Sequence, residues 1–204
     1  MCLCAATPIW PAELDASALI RSLARPAPAS ISFTEIRTSS LLDQPLIVSG
    51  ELSYLGPERL DRVVTRPYRE KTTIRGESVR VEREGEMPRT FALKRAPELR
   101  GLLTAFSALL AGDPSDLARN FLVTAEGEDA GWKLTLTPTD ARARKRLSNL
   151  TMVGQDDEPV CFTLTSAAGA QSVMLLGERA RDGAQTATSP EQLAVRCKLR
   201  TMLQ

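Results

Sequence analysis

The sequence contains no histidine. That removes the side chain most often used as a general base near neutral pH and the commonest zinc ligand. Every Ser-His-Asp or Cys-His mechanism goes with it. Cysteine is sparse: Cys2, Cys4, Cys161 and Cys197 in 204 residues. Cys2 and Cys4 lack the C-x-x-C spacing of zinc and thioredoxin sites, and no second close pair completes a metal site. No metal or cofactor is expected. Cys161 falls in an apolar strand, where a buried free thiol is the plain reading. Aromatic residues make up 4 % of the chain and do not cluster, so stacking on nucleic acid is disfavoured. Neither sign of charge is in excess: the net charge is +1, which offers no electrostatic case for nucleic acid or an acidic partner. No apolar run approaches the roughly 18 residues of a membrane span.

The start of the chain, residues 1–10, is apolar and rich in small residues. It lacks the basic start and long apolar stretch of a secretory signal. We read it as the remnant of a signal whose start lies upstream, or as a weak signal in itself. No lipobox precedes Cys4, so lipid attachment is not expected. A chain of 204 residues is long enough for one domain with a substantial core.

What the sequence does contain is alternation. Between Ser30 and Arg66 three antiparallel strands are expected: Ile31 to Arg37, Leu46 to Tyr54 and Arg59 to Arg66. In the second, Leu46, Val48, Gly50, Leu52 and Tyr54 share a face opposite Ile47, Ser49, Glu51 and Ser53, giving one apolar and one wetter surface. Leu60 and Val64 continue the apolar face, and Leu55-Gly56-Pro57 makes the turn. Further strands follow over 69–75, 78–84 and 89–94, with Ile74, Val79, Val81, Phe91 and Leu93 at the apolar positions. The arginines between them, Arg62, Arg66, Arg69, Arg75, Arg80, Arg83 and Arg89, read as a solvated outer face, with anionic headgroups as the sharper alternative. Glu35, Glu51 and Glu70 are the carboxylates available to an enzyme, but no spacing brings two of them together. No catalytic residue is assigned.

Two helices interrupt the strands. Pro97 near the first turn and Gly112 just past the end delimit the strongest one. Leu99, Leu102, Leu103, Phe106, Leu109 and Leu110 form its apolar face. Such a helix either closes a core or acts as a movable lid over a cavity. Asp113 and Pro114 start a short second helix. An earlier helix is expected from Pro11 to Arg25. Strands resume over 121–127, 132–138, 150–154, 159–166 and 171–176, with a short basic helical turn within 140–149. From Gly177 the chain turns polar, and a loosely attached tail with a terminal helix over 190–203 is expected. The fold class is α+β, mainly β: a curved antiparallel sheet of about eleven strands, an incomplete barrel covered by a helical lid. Residues 11–176 build it, and 177–204 are an appendage.

The order of these features resembles the periplasmic outer-membrane lipoprotein carrier family, the LolA/LolB-like fold. The matching residues are Phe33-Thr34-Glu35, Gly50-Glu51-Leu52, Pro57, Leu60, Pro67, Ile74-Arg75-Gly76-Glu77, the leucine-rich helix, and the run Trp132 to Pro138. Ser39 to Asp43 and Leu109 to Asp113 look like the LolA-related branch. The resemblance implies a monomeric periplasmic carrier, without covalent chemistry, that shelters the acyl chains of lipoproteins or of another lipid. Its partners would be an inner-membrane donor and an outer-membrane acceptor. By position, Phe33, Leu46, Val48, Leu52, Tyr54, Leu60, Val64, Ile74 and Phe91 would line the cavity under the lid. A non-catalytic partner-binding module with a packed core is the alternative. The main carriers place a lid-latching arginine immediately before the proline matching Pro57. Here that position is Gly56, so either another residue takes over the latch, with Arg59 and Arg62 nearby, or lid control differs.

Overall fold

Alternating sequence becomes an all-antiparallel sheet in the computed structural model, which describes residues 14–38, 42–128, 131–186 and 197. One wing contains β1 (Ala29–Thr38), β2 (Leu46–Gly56), β3 (Arg59–Arg66), β4 (Glu70–Arg75), β5 (Ser78–Arg83) and β6 (Arg89–Ala92). The other contains β7 (Phe121–Glu128), β8 (Gly131–Pro138), β9 (Leu147–Gln155), β10 (Glu158–Ser166) and β11 (Gln171–Leu176). Each wing is a meander of neighbours in sequence. They join where β1 pairs with β11, Phe33 opposite Leu176 and Thr38 opposite Gln171. The order is β6-β5-β4-β3-β2-β1-β11-β10-β9-β8-β7, so β6 and β7 remain edges and the sheet does not close. This is the incomplete barrel expected from the sequence.

Strand parity sorts the side chains. Phe33 opposes Gly50 and Gly50 opposes Val64, placing Val48, Leu52, Leu60 and Val64 on one face with Phe33. Three helices cover that concave face: α1 (Ala16–Ser22), α2 (Pro97–Ala111) and α3 (Pro114–Asn120). Leu19, Ile20 and Leu23 from the α1 segment, Leu102, Phe106 and Leu109 from α2, and Leu117 from α3 join one apolar cluster with the strands. At about 1.5–3 kcal/mol per fully buried Leu, Ile or Phe, this cluster dominates the stability.

Local chemistry sets the helix ends. Pro97 lies in the first turn of α2 and Gly112 closes it at φ 64°, a left-handed conformation that suits glycine. Asp113 caps α3 by accepting from the Ser115 and Asp116 amides. α1 starts later than Pro11 suggests. Leu14 and Asp15 are not helical, and Asp15 caps the helix by accepting from the Ser17 amide at 2.8 Å. The basic turn shrinks to α4 (Ala141–Arg144), and β9 takes over from Leu147.

The polar segment after Gly177 is the main correction. It is not a loose tail at its start: α5 (Gly177–Thr186) lies on the convex face against β1 and β11. Ala180, Ile36, Leu175 and Cys161 form a second-side core there, and the Thr34 hydroxyl donates to the Ala180 carbonyl at 2.9 Å. β1 is therefore buried on both faces. Cys161 is no free thiol; it forms a disulfide with Cys197, their Cα atoms 5.5 Å apart. The terminal helix expected over 190–203 lies outside the described residues except for Cys197, as do residues 1–10.

Candidate functional site

The concave face gathers the residues that the resemblance assigns to a cavity. Phe33, Val48, Leu52 and Val64 are buried in one cluster with Leu102, Phe106 and Leu109, and Leu46 packs at its margin. Tyr54, Leu60 and Ile74 form an adjoining cluster with Leu103, with Phe91 at its margin. Leu110 touches both clusters. The side chain of Leu99 lies outside the described residues. The second wing supplies residues that the sequence-based lining leaves out, among them Leu134, Leu136, Leu150, Met152, Phe162 and Met174. Their signal is the same period-two alternation. α2 sits directly on this surface, with the Phe106 ring 5.1 Å from that of Phe162.

Set into this apolar surface is a charged cluster. Parity with Leu60 and Val64 turns Arg62 inward, and it is only 6 % exposed. The reading of Arg62 as part of a solvated outer face is therefore wrong, since every second residue of β3 faces the core. Its guanidinium donates to Glu35 Oε2 at 2.5 Å and lies 3.8 Å from a Glu70 oxygen. It also stacks over the Phe33 ring, 4.8 Å from the centroid. Arg37 donates to both Glu35 oxygens at 2.8 and 3.0 Å, and the Ser172 hydroxyl donates to Oε1. Burial alone would raise the Glu35 carboxyl, but Arg37 and Arg62 outweigh it and hold its pKa at about 2. The structure thus brings Glu35 and Glu70 to one arginine, which sequence spacing did not suggest. Glu35 is a fixed anion, poorly suited to donating a proton near neutrality.

Arg62 reaches Glu35 from β3 to β1, across β2. The residue of β2 opposite both Phe33 and Val64 is Gly50. A Cβ there would sit 1.8 Å from the Val63 carbonyl oxygen, so the close approach of β3 requires glycine.

α2 is fastened at its C-terminal end by neither Arg59 nor Arg62. Arg59 is exposed and Arg62 is committed to Glu35. Instead the Arg25 amide donates to the Leu110 carbonyl at 2.9 Å. The Arg25 guanidinium donates to the Asp157 carbonyl and carboxylate, each at 2.9 Å. Beside this strap lies a cleft of about 410 Å³ lined by Pro26, Tyr54, Pro57, Leu110 and their neighbours. Burial pushes the Tyr54 phenol up. Among the described residues, no group of three Cys, Asp or Glu stands ready to hold a metal ion.

A family model described as "Outer membrane lipoprotein carrier protein LolA-like" matches residues 6–199. The chain belongs to this LolA-like family. Membership places it among carrier and binding proteins. No curated protein matches the sequence. Among solved structures, a LolA superfamily protein from Nitrosomonas europaea is 11 % identical, covering 79 % of this chain and 89 % of its own, with a TM-score of 0.42. A chain of the Pseudomonas aeruginosa MucA/MucB complex is 15 % identical and covers 88 % of this LolA-like chain, with a TM-score of 0.41. This chain spans 60 % of that one. No helix among the described residues is long and apolar enough to cross a membrane.

Proposed function

We propose that this LolA-like chain is a periplasmic carrier that shelters lipoprotein acyl chains between the concave face of the sheet and the lid α2, for transfer toward the outer membrane. One observation carries this reading. The underside of α2 is apolar, and among the described residues no side-chain hydrogen bond joins α2 to a strand; its one side-chain ion pair is the exposed Arg100–Glu77 contact to a turn. A helix held by apolar contact and the Arg25 strap can lift, and acyl chains can replace its contacts at similar free energy. Each sheltered methylene contributes about 0.8 kcal/mol, so a few chains bind firmly. No covalent step is involved. An inner-membrane donor and an outer-membrane acceptor are the partners this role needs, and a monomer suffices for it. The Cys161–Cys197 disulfide supports an oxidising compartment. A carrier of another amphiphile is the second reading, favoured by Gly56 standing where the main carriers have their latch.

The test is native mass spectrometry of protein purified from its own periplasm, together with uptake of a fluorescent fatty acid. A bound diacyl or triacyl species, lost in a folded Phe106→Glu variant, is the expected result. An empty protein without uptake would replace the carrier with a partner-binding module whose core is packed.

A further inference from the structure

In an antiparallel meander the connections alternate between two rims. The β1–β2, β3–β4, β5–β6, β8–β9 and β10–β11 connections all lie on one rim, and β7 starts there. The large hydrophobic side chains most exposed among the described residues are Leu42 (41 %), Met87 (88 %) and Leu122 (63 %). Leu42 is in the β1–β2 connection, Met87 in the β5–β6 connection, and Leu122 is the second residue of β7. All three therefore fall on that single rim.

The same rim carries the densest positive charge of the chain. The β8–β9 connection holds Arg142, Arg144, Lys145 and Arg146, all exposed and none ion-paired among the described residues. The exposed Arg66 and Arg69 flank the β3–β4 connection and are likewise unpaired among those residues. Of the rim's carboxylates, Glu86 is engaged by Arg83 and Arg89, and Asp140 accepts from the Arg142 and Ala143 amides; Asp43 and Glu84 share their connections with Leu42 and Met87, in the wing that also carries Arg66 and Arg69. The basic turn is held in place. The Asp140 cap starts it, the Arg146 carbonyl accepts from the Ala167 amide at 2.9 Å, and Leu147 is buried below. Leu122 sits beside its root, opposite Thr137, and two residues further on the Thr139 amide and hydroxyl both donate to the Asn120 carbonyl.

Cations and isolated exposed apolar side chains along one rim are the composition of a membrane-surface contact: the cations meet lipid phosphates and the apolar groups enter the acyl boundary. We propose that this rim docks on the surface of an anionic phospholipid bilayer. A nucleic-acid partner would call for open aromatic faces, whereas Tyr68 on this rim is half-buried with the Arg83 guanidinium over its ring, 4.0 Å from the centroid. An acidic polypeptide would meet the cations but leave Leu42, Met87 and Leu122 without a role. The inference does not depend on what fills the interior.

The test is co-sedimentation of the full chain with phosphatidylcholine vesicles, with and without about 30 mol % phosphatidylglycerol. Binding is expected only with the anionic lipid, and release at about 0.5 M salt. The variant R142Q/R144Q/K145Q/R146Q is expected to bind roughly tenfold more weakly, and Met87→Ser about threefold. Arg59→Gln, an exposed cation on the opposite rim, leaves binding unchanged. Circular dichroism checks that each variant is folded. No binding to the anionic vesicles, equal binding to neutral ones, or unchanged binding by the folded four-fold variant would each overturn the proposal. Polyglutamate binding more tightly than the vesicles would overturn it in favour of an acidic polypeptide.

Discussion

Arg62 on β3 holds Glu35 on β1 by reaching over Gly50, a position on the concave face of the intervening strand that has no side chain. Both charged groups are almost fully buried, so each depends on the other for the hydrogen bonds that water would otherwise supply.

Removing one member should therefore cost more than removing both. Glu35→Ala leaves a buried guanidinium with only Glu70, at 3.8 Å, and should destabilise by about 3–5 kcal/mol. The double variant Glu35→Leu/Arg62→Met should recover most of that loss. Urea denaturation of the two singles and the double gives the coupling, and strictly additive losses would show that the pair is not coupled.

The same cluster fixes a pH dependence. The Glu35 carboxyl is depressed to about 2 in the fold against 4.5 for the unperturbed group. A depressed carboxylate stabilises the fold above its unfolded value, and that contribution is lost as pH falls from 4.5 through 2. The loss amounts to about 3 kcal/mol at most. Asp61 acts in the same direction: burial would raise it, but Arg75 and Lys71 lower it overall. In Glu35→Gln the fall of the urea midpoint across this acid range should be visibly shallower than in the parent chain. An identical slope would remove Glu35 from the explanation.

Arg25 should govern how readily the lid lifts. Arg25→Ala keeps the amide bond to Leu110 but loses the anchor on Asp157 and Glu158. Such partly exposed pairs are worth about 0.2–1 kcal/mol, so acyl-probe exchange should speed up by roughly two- to fivefold. Stopped-flow fluorescence measures this. Amide exchange at the last turn of α2 should rise in parallel, while exchange in β8 and β9 stays as it was.

The disulfide should carry much of the attachment of the C-terminal segment. Cys161 and Cys197 are 36 residues apart, and closing a loop of that size stabilises by about 4 kcal/mol in the chain-entropy account. Cys161→Ser/Cys197→Ser should lower the melting temperature and increase binding of a hydrophobic dye as α5 lifts from Ile36 and Leu175. Reducing the parent chain should reproduce the variant; if it does not, the substitution itself is at fault.

Much of the fold can be read from parity alone. Val48, Leu52, Leu60 and Val64 announce their face because neighbours two apart are apolar too. Arg62 obeys the same parity, yet grouping it with Arg66, Arg69 and Arg75 by residue type hides its position. Its partner Glu35 is on another strand, and no local spacing brings the two together. α5 is hard to see because its segment is polar and, among its described side chains, the one in the apolar core beneath it is the small Ala180, which makes no apolar stripe. The disulfide is invisible for a related reason: Cys161 faces outward beside inward Phe162, and only the return of the chain over the convex face brings Cys197 to it. Sequence shows which way a side chain points, whereas what it meets there depends on long-range pairing.

The junction of β1 with β11 has a consequence during synthesis. Every other strand pair can form as soon as its neighbour in sequence has emerged. β1 must wait for residues 171–176, so its backbone edge stays bare until that late segment has left the ribosome. Until then the first wing exposes a long, β-branched edge suited to pairing with the wrong strand. β11 closes that edge and α5 then covers the seam, so a chain cut short just before β11 should be a candidate for aggregation rather than a smaller version of the protein.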